Sequence, residues 1–556
     1  MNLSYKNLLS RLLILLVFAH EAYGQQTNHP KLILMITVDQ LRGDMPWRLQ
    51  DRLSPDGFRY FMEQGVVYKN AHYQQSNTLT TVGHATLFTG GHSAQHGMVG
   101  NYWYDPAEEQ QVYCVADSSY RIIGEKAGSN AGASPKNLSA STIGDELVLA
   151  SANQSRVFSV SVKDRGAIIP GGHLGKAFWY SRTNGQFVSS SFYYDAYPHW
   201  VEEWNKAKKA DQYQDTTWDL LHTPSSYIAA QQDDRSYEQS YKQLGYTFPH
   251  SLSGKTPKDY YSTLRFTPMA DELTLDFAEA LIKAEKIGQG PHTDMLAISF
   301  SVTDYVGHLF GPNSLEAEDN LLRLDRTLAK LLRLIDRQIG LSNSLIVLSS
   351  DHGTDAIPEY RKSLGFPAGK HHPEQLIARM NQLLKTRFST NENLIRAYLH
   401  PNIYLNLQSI SQLGIKPKKI ENFLAQELMK TPGIALAVTR TDLMQGQIVG
   451  NPLFKKVQLA FHPIRSGNVL LVQDQFWYLN QSTDVAAVHG SPYAYDTHVP
   501  IMFAGKDIKQ PKVVNRLVSP SDIVSTLAAQ LNIPLPSGAS GQPLDEVFSS
   551  DTAQAQ

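Results

Sequence analysis

The chain has 556 residues and a formal net charge of −2, long enough for one large domain with insertions or for two domains. No basic excess points to nucleic acid, and no polybasic block points to a membrane surface. Cys114 is the single cysteine, so an intrachain disulfide and a cysteine-based metal site are excluded, and any metal has to be held by Asp, Glu and His.

At the amino terminus, Lys6 and Arg11 precede the apolar run Leu12–Ala19, and Ala22-Tyr23-Gly24 forms a small-x-small pattern. The run is too short to span a bilayer, so residues 1–24 read as a secretory signal peptide cleaved after Gly24. No later stretch is apolar enough to span a membrane. The expected mature chain, 25–556, is soluble and exported, periplasmic or secreted.

Lys31–Val38 is a continuous apolar run, the habit of a strand buried on both faces, and it ends in Asp39. Asn77–Gly90 follows as a buried-looking helix whose threonines, Val82 and Gly83 are poor helix formers. A threonine at the mouth of such a helix can cap it, and the same helix end attracts anions. The Thr80 hydroxyl could then attack a bound phosphate, although this stretch alone favours a capped core helix with no chemistry. Arg156–Val162 is a second strand and runs into Lys163-Asp164-Arg165. Phe178-Trp179-Tyr180 and Phe187-Val188 pair as a hairpin turned at Asn184-Gly185. Asp271 is expected to cap a helix with Leu273, Phe277, Leu281 and Ala284 on one face, stopped by Gly288. Met295–Val302 is a strand leading to Asp304. A helix opens at Ser314, carries the stripe Leu321, Leu324, Leu328, Leu331 and Ile335, and ends at Gly340. Ser344–Ser349 leads to Asp351-His352-Gly353, and Pro500–Gly505 is a last short strand.

This alternation predicts an α/β fold with a mostly parallel central sheet and helices on both faces. Two segments interrupt it and are expected to roof the sheet: an aromatic-rich cap over about 166–270 and an α+β cap over about 354–484. In the second, helices begin near Pro373 and Lys418, and strands lie near Ala397–Leu399 and Gly467–Val472. Sheets of this kind bind ligands past the carboxyl ends of their strands, where the charged residues cluster here.

Asp304 and His308 are four residues apart and share a helical face. Asp351-His352 follows another strand, Asp39 follows the first, and His489 lies ahead of Asp496-Thr497-His498. A lone Asp usually caps a helix and a lone His usually sits on a surface or in a core. Together, three carboxylates and three imidazoles can make two mixed nitrogen and oxygen sites suited to borderline divalent ions such as zinc. Lys163 and Arg165, two apart on a strand, are expected to share a face, where an ammonium and a planar guanidinium can hold phosphate oxygens. A solvated basic strand end is the plainer alternative. His92, His96, His371 and His372 read as surface or loop residues.

The order Asp39, Thr80-x-x-Gly83-His84, Asp304-x-x-Gly307-His308, Asp351-His352-Gly353 and His489-Gly490 resembles that of the alkaline phosphatase superfamily, most closely its threonine-nucleophile, phosphate-irrepressible bacterial alkaline phosphatases. The resemblance runs from Lys31 to Leu544. It implies two zinc ions, one held by Asp304, His308 and His489, the other by Asp39, Asp351 and His352 with the Thr80 oxygen on its substrate side. It implies Thr80 as the nucleophile of a phosphothreonine intermediate, and Asn101, Lys163 and Arg165 as the phosphate clamp. The expected activity is hydrolysis of small-molecule phosphate monoesters with release of inorganic phosphate. A phosphodiesterase or nucleotide pyrophosphatase on the same scaffold, and a non-catalytic exported zinc-binding protein, are the alternatives. A sulfatase is not, since no Cys/Ser-x-Pro-x-Arg pattern occupies the Thr80 region. Oligomeric state is not written in these motifs.

Overall fold

The computed structural model describes residues 29–549 apart from 126–131, 230–232, 447–449 and 480–483. The expected signal peptide lies outside the described residues. A ten-stranded sheet forms the centre. Its strands, in chain order, are β1 (Leu32–Val38), β2 (Val66–His72), β3 (Ile122–Ile123), β4 (Val157–Ser161), β5 (Lys176–Tyr180), β6 (Phe187–Ser190), β7 (Asp294–Phe300), β8 (Ser344–Ser349), β9 (His498–Gly505) and β10 (Lys512–Val514). They lie side by side in the order β10-β2-β9-β8-β1-β7-β4-β5-β6-β3. The run β8-β1-β7-β4-β5 is parallel throughout, and antiparallel strands flank it.

The apolar runs work as strand periodicity dictates. Alternate side chains point to opposite faces, so Leu32, Leu34, Ile36 and Val38 pack into one core with Phe277 and Leu328. Ile33 and Met35 pack into a second core with Phe88, Ile523 and Leu527 on the other face. Helices thus cover both faces, as the alternation of elements predicts. The stretch Val66–His72 is legible as a strand only in hindsight. Lys69 and Asn70 break its apolar run, because its far half is no longer buried on both sides.

Two expectations are corrected here. The hairpin β5–β6 does not roof the sheet but is hydrogen-bonded into it beside β4, because Phe178 and Phe187 meet the same core aromatic, Phe277. Asp271 is not a cap of its own helix, which begins at Met269. Its Oδ1 accepts from the main-chain N–H of Ser301 and Val302, and so anchors the start of the Val302–Phe310 helix. The 354–484 segment builds a separate four-stranded sheet, with Asn402–Leu405 and Val469–Gln473 at its centre. The helices Pro373–Phe388 and Pro417–Leu428 close a core of their own on that sheet.

Register brings the functional ends level. Val38 stands opposite Phe300, Thr37 opposite both Ser299 and Ser349, and Ser299 opposite Ser161. Asp39, Ser301, Ser350 and Val162 therefore leave one edge of the sheet together. β9 runs against β8, with Ile501 opposite Ser349, so the chain just before β9 arrives at this same edge. The Thr80–Thr89 helix seals the edge, every residue of it buried. It comes this close because of Gly83: a Cβ there would lie 1.9 Å from the Asp351 carbonyl oxygen. Backbone cannot yield as a flexible side chain would, so Gly83→Ala is expected to destabilise by about 3 kcal/mol or more, at or above the usual cost of overpacking. Chemical denaturation against the parent checks this, and an unchanged midpoint would contradict the close packing.

Candidate active site

The three histidines that sequence spacing picks out share one arrangement. Nδ1–H of His308 donates to the Ala487 carbonyl at 2.7 Å, that of His352 to Gly353 at 3.0 Å and that of His489 to Thr78 at 2.7 Å. A carbonyl only accepts, so each neutral ring keeps its proton on Nδ1 and presents the Nε2 lone pair inward. Burial holds His489 below the usual imidazole range and drives His352 down to about 3, so both rings are neutral at pH 7. The inward nitrogens meet carboxylates. His308 Nε2 lies 3.2 Å and His489 Nε2 3.5 Å from Asp304 Oδ1, and His352 Nε2 lies 3.4 Å from Asp351 Oδ2 and 3.6 Å from Asp39 Oδ1. Asp304, His308 and His489 form one group of potential ligand atoms within 4.8 Å of one another, and Asp39, Asp351 and His352 form a second. The His352 and His489 rings stack at 3.5 Å between centroids and join the two groups.

Three carboxylates meet here at nearly complete burial. Asp39 Oδ1 and Asp351 Oδ2 accept no hydrogen bond. Buried anions without partners are strongly disfavoured, and burial together with the Asp351 charge raises the Asp39 carboxyl well above its ordinary range. At Asp304 the Lys163 ammonium acts in the opposite direction, lowering the carboxyl against its burial. Lys163 Nζ is 2.6 Å from Asp39 and 2.5 Å from Asp304, one ammonium straddling both groups. Unpartnered carboxylate oxygens and inward lone pairs are the donor set that divalent cations take up. The residues therefore fit two metal ions.

Thr80 is the first residue of its helix. The threonine expected to cap this helix does not do so, since the capping position falls to Leu79 in extended conformation. Thr80 Oγ1 is instead directed at the second group, 3.5 Å from His352 Nε2. The neighbouring hydroxyl is committed elsewhere. Thr81 Oγ1 donates to Asn101 Oδ1 at 2.8 Å and lies 3.0 Å from Cys114 Sγ. The Thr81 main-chain N–H also donates to Asn101 Oδ1 at 3.1 Å, which fixes the oxygen side of that amide and leaves the NH2 facing away from Thr81.

Lys163 and Arg165 do reach the site, but not as alternating strand residues. β4 ends at Ser161, Lys163 precedes the Asp164–Gly171 helix and Arg165 lies in its first turn. Arg165 Nη1 lies 3.4 Å from the Tyr113 hydroxyl, and its Nε has no hydrogen-bond partner. Beside it opens a cavity of about 1360 Å3 whose walls include Tyr102, Tyr113, Trp179, Arg265 and Tyr305.

His92 and His96, expected at the surface or in loops, are buried, His92 in the loop ahead of the Ser93–His96 helix turn, and burial lowers both below the imidazole range. His92 contacts Gln75 Oε1 at 2.9 Å, and His96 Nδ1 accepts from the Met98 N–H, so they brace the layer behind the Thr80 helix. His372 is exposed, as expected, and His371 partly so. Asp496 joins neither ligand group. Its carboxylate accepts from the N–H of Gly490 and Ser491 and so holds the His489 loop. Of two supporting residues, His84, present in the sequence motif without a role, contacts the Thr80 carbonyl at 2.9 Å and Asp351 at 3.3 Å, and Gln40, which sequence reasoning missed, bonds carboxylates of both groups. Adjacency to Asp39 was the one available signal for Gln40.

Residues 33–493 match the family model of the type I phosphodiesterases / nucleotide pyrophosphatases. The chain is 34% identical over 533 residues to alkaline phosphatase PhoV of Synechococcus elongatus, covering 95% of this chain and 94% of that one. It is 33% identical over 545 residues to alkaline phosphatase PafA of Elizabethkingia meningoseptica, covering 97% and 98%. The crystal structure of wild-type alkaline phosphatase PafA superposes with a TM-score of 0.88 at 32% identity, over 94% of this chain and 99% of that one. With edge, ligand groups and sequence in accord, the chain belongs to the type I phosphodiesterase / nucleotide pyrophosphatase family and, within it, to the alkaline phosphatases.

Proposed function

We propose that this alkaline phosphatase is an exported, zinc-dependent phosphate monoester hydrolase that works through a phosphothreonine at Thr80 and releases inorganic phosphate. The observation that carries the reading is the contrast between two adjacent hydroxyls: Thr80 Oγ1 is directed at the Asp39/Asp351/His352 group while Thr81 Oγ1 is bonded away from it to Asn101. Export rests on the amino-terminal pattern of residues 1–24. Among the described residues no helix is long and apolar enough to cross a membrane. Residues 25–556 would form one catalytic unit, with 354–484 as an insertion and with the β5–β6 hairpin of 166–270 part of the central sheet.

Asp304, His308 and His489 would hold one zinc, and Asp39, Asp351 and His352 the other with Thr80 on its substrate side, supplying Lewis-acid polarisation of the ester and a lowered pKa for the hydroxyl. The remaining work falls to the chain itself. The Asn101 NH2, the Lys163 ammonium and the Arg165 guanidinium hold the non-bridging oxygens, whose charge persists through a loose transition state. Thr80 Oγ1 bonds to phosphorus as the bond to the leaving oxygen breaks, and the leaving oxygen departs as the alcohol after gaining a proton. Water then attacks phosphorus on the opposite side from Thr80, restoring its hydroxyl and releasing phosphate. A diester reading competes on one observation, the cavity beside Arg165, which has room for a second substituent.

Thr80→Ala is expected to fold, keep its metal and lose nearly all turnover, while Thr81→Ala, which frees Asn101 without removing the attacking oxygen, keeps most of it. Acid trapping of labelled protein and peptide mapping check this, and label on Thr81 would remove Thr80 from the role.

Exhaustive chelation is expected to abolish activity and zinc to restore it best, with two ions per active chain by elemental analysis. Full activity at one ion would contradict the two-metal site.

Arg165 is the cleaner probe of substrate class, because Lys163 also pairs with ligand carboxylates. A charged, desolvated hydrogen bond contributes roughly 1.5–3 kcal/mol, so Arg165→Ala should cost monoester kcat/KM roughly ten- to two-hundred-fold. A diester with the same leaving group offers one oxygen fewer and should lose much less. Equal losses, or a parent preference for the diester, would favour the competing reading.

A further inference from the structure

Twelve non-glycine residues among those described have φ in the left-handed region, and Gln40 alone of them is buried, at φ +69° and 3% exposure. A side chain raises the cost of that backbone conformation, and glycine would adopt it freely. Strain of this sort persists where surrounding bonds over-determine it. At Gln40 those bonds are plain. Its main-chain N–H donates to Asp351 Oδ1 at 3.1 Å, and its side-chain Nε2 donates to Asp304 Oδ1 at 2.9 Å. The next N–H, of Leu41, donates to Ser350 Oγ at 2.9 Å, which in turn donates to the His352 carbonyl at 2.7 Å. The turn after β1 is thereby tied to the loop after β8 through the main chain, and to the Val302–Phe310 helix through the amide.

The helix is shaped to receive that amide. A Cβ at Gly307 would lie 1.8 Å from Gln40 Oε1, so the glycine between Asp304 and His308 is the space the glutamine occupies. Asp304 Oδ1, which takes the Gln40 bond, is also the oxygen nearest His308 Nε2 and His489 Nε2. A carboxylate oxygen has a lone pair to spare for a cation while it accepts one N–H.

We propose that Gln40 is a positioning residue that spans the two ligand groups, its side-chain amide aiming the Asp304 carboxylate at the ion of the Asp304/His308/His489 group while its main-chain N–H aims Asp351 at the other. The inference rests on the two-metal reading above. It makes the two bonds separable by substitution, because any side chain keeps the N–H to Asp351 while only a donor of the right reach keeps the bond to Asp304. Partners that orient a ligand typically contribute 10- to 100-fold in metal affinity.

The test is zinc affinity and stoichiometry by chelator competition, with thermal melting of the chelated proteins alongside. Gln40→Met, of similar size and unable to donate, should retain one tightly bound zinc and bind the other 10- to 100-fold more weakly. Gln40→Gly should lose affinity for one ion likewise, with a melting temperature of the chelated protein equal to or above the parent's, since the backbone strain is gone. In a His308→Ala background, where the same group is already impaired, Gln40→Met should add little. Two zincs at parent affinity in both variants would overturn the inference, as would equal weakening of both ions with a lowered melting temperature of the chelated protein. A parent protein that binds no zinc would instead overturn the metal reading itself, and the parent titration distinguishes the two failures.

Discussion

The rest of this architecture answers to one electrostatic constraint: three carboxylates, Asp39, Asp304 and Asp351, are almost wholly withdrawn from water at one edge of a sheet. Parallel strands in register bring them there because β1, β7 and β8 are neighbours whose ends are level. Nothing about strand packing pays for that crowding. The protein's own response is partial. Lys163 bridges Asp39 and Asp304, His84 approaches Asp351, and Asp39 remains with its carboxyl raised by burial and by Asp351. Imidazoles held neutral with their lone pairs inward cannot supply the missing charge, and they complete the donor set for cations that can. The surrounding close contacts, Gly83 against Asp351 and Gly307 against Gln40, follow from the need to bring these groups together without solvent.

Much of this was legible because the strongest signals are periodic or local. Leu32–Val38, Met295–Phe300 and Ser344–Ser349 announce buried strands by unbroken apolarity, and a charged residue close behind each is hard to explain otherwise. The pairing of Asp304 with His308 follows from helical spacing, and the stripe from Leu321 to Ile335 from amphipathicity. What was misread required tertiary knowledge. Lys163 and Arg165 lie beyond the end of β4, where strand alternation no longer applies. Asp271 looks like the start of its own helix and instead serves the helix after β7. His92 and His96 carry polar side chains that suggest exposure, and only the assembled layer shows their partners. Gln40 has no pattern of its own: its left-handed φ and its two carboxylate partners arise from segments hundreds of positions apart.

The adjacent threonines show how an assignment that spacing leaves open is narrowed by hydrogen-bond bookkeeping. A hydroxyl has one proton to donate. Thr81 spends it on Asn101, whose amide is thereby oriented, and the same helix turn leaves Thr80 facing the His352 group. The Val82-Gly83 sequence, unfavourable in an ordinary helix, is tolerated because the segment is buried and because glycine allows contact with the Asp351 backbone. The local conflict between composition and structure therefore coincides with the proposed reacting group, where such conflicts are expected.

The same charge count bears on substrate class. On the proposed reading, a phosphate monoester dianion has to enter a site whose protein charges already lean negative, three carboxylates against the cations of Lys163 and Arg165. Entry is repulsive unless further positive charge is present, so the ligand groups and the substrate make the same demand. On that reading two divalent ions would reverse the sign of the site, and the reversal would favour the species with the most charge on its non-bridging oxygens. A diester carries one charge fewer and would draw less from that field and from Arg165, whose unpartnered Nε lies next to the cavity. The volume of that cavity, about 1360 Å3, leaves space for a second substituent. On the proposed reading, a preference for a monoester would rest on charge near phosphorus, and breadth among leaving groups would rest on the space around it.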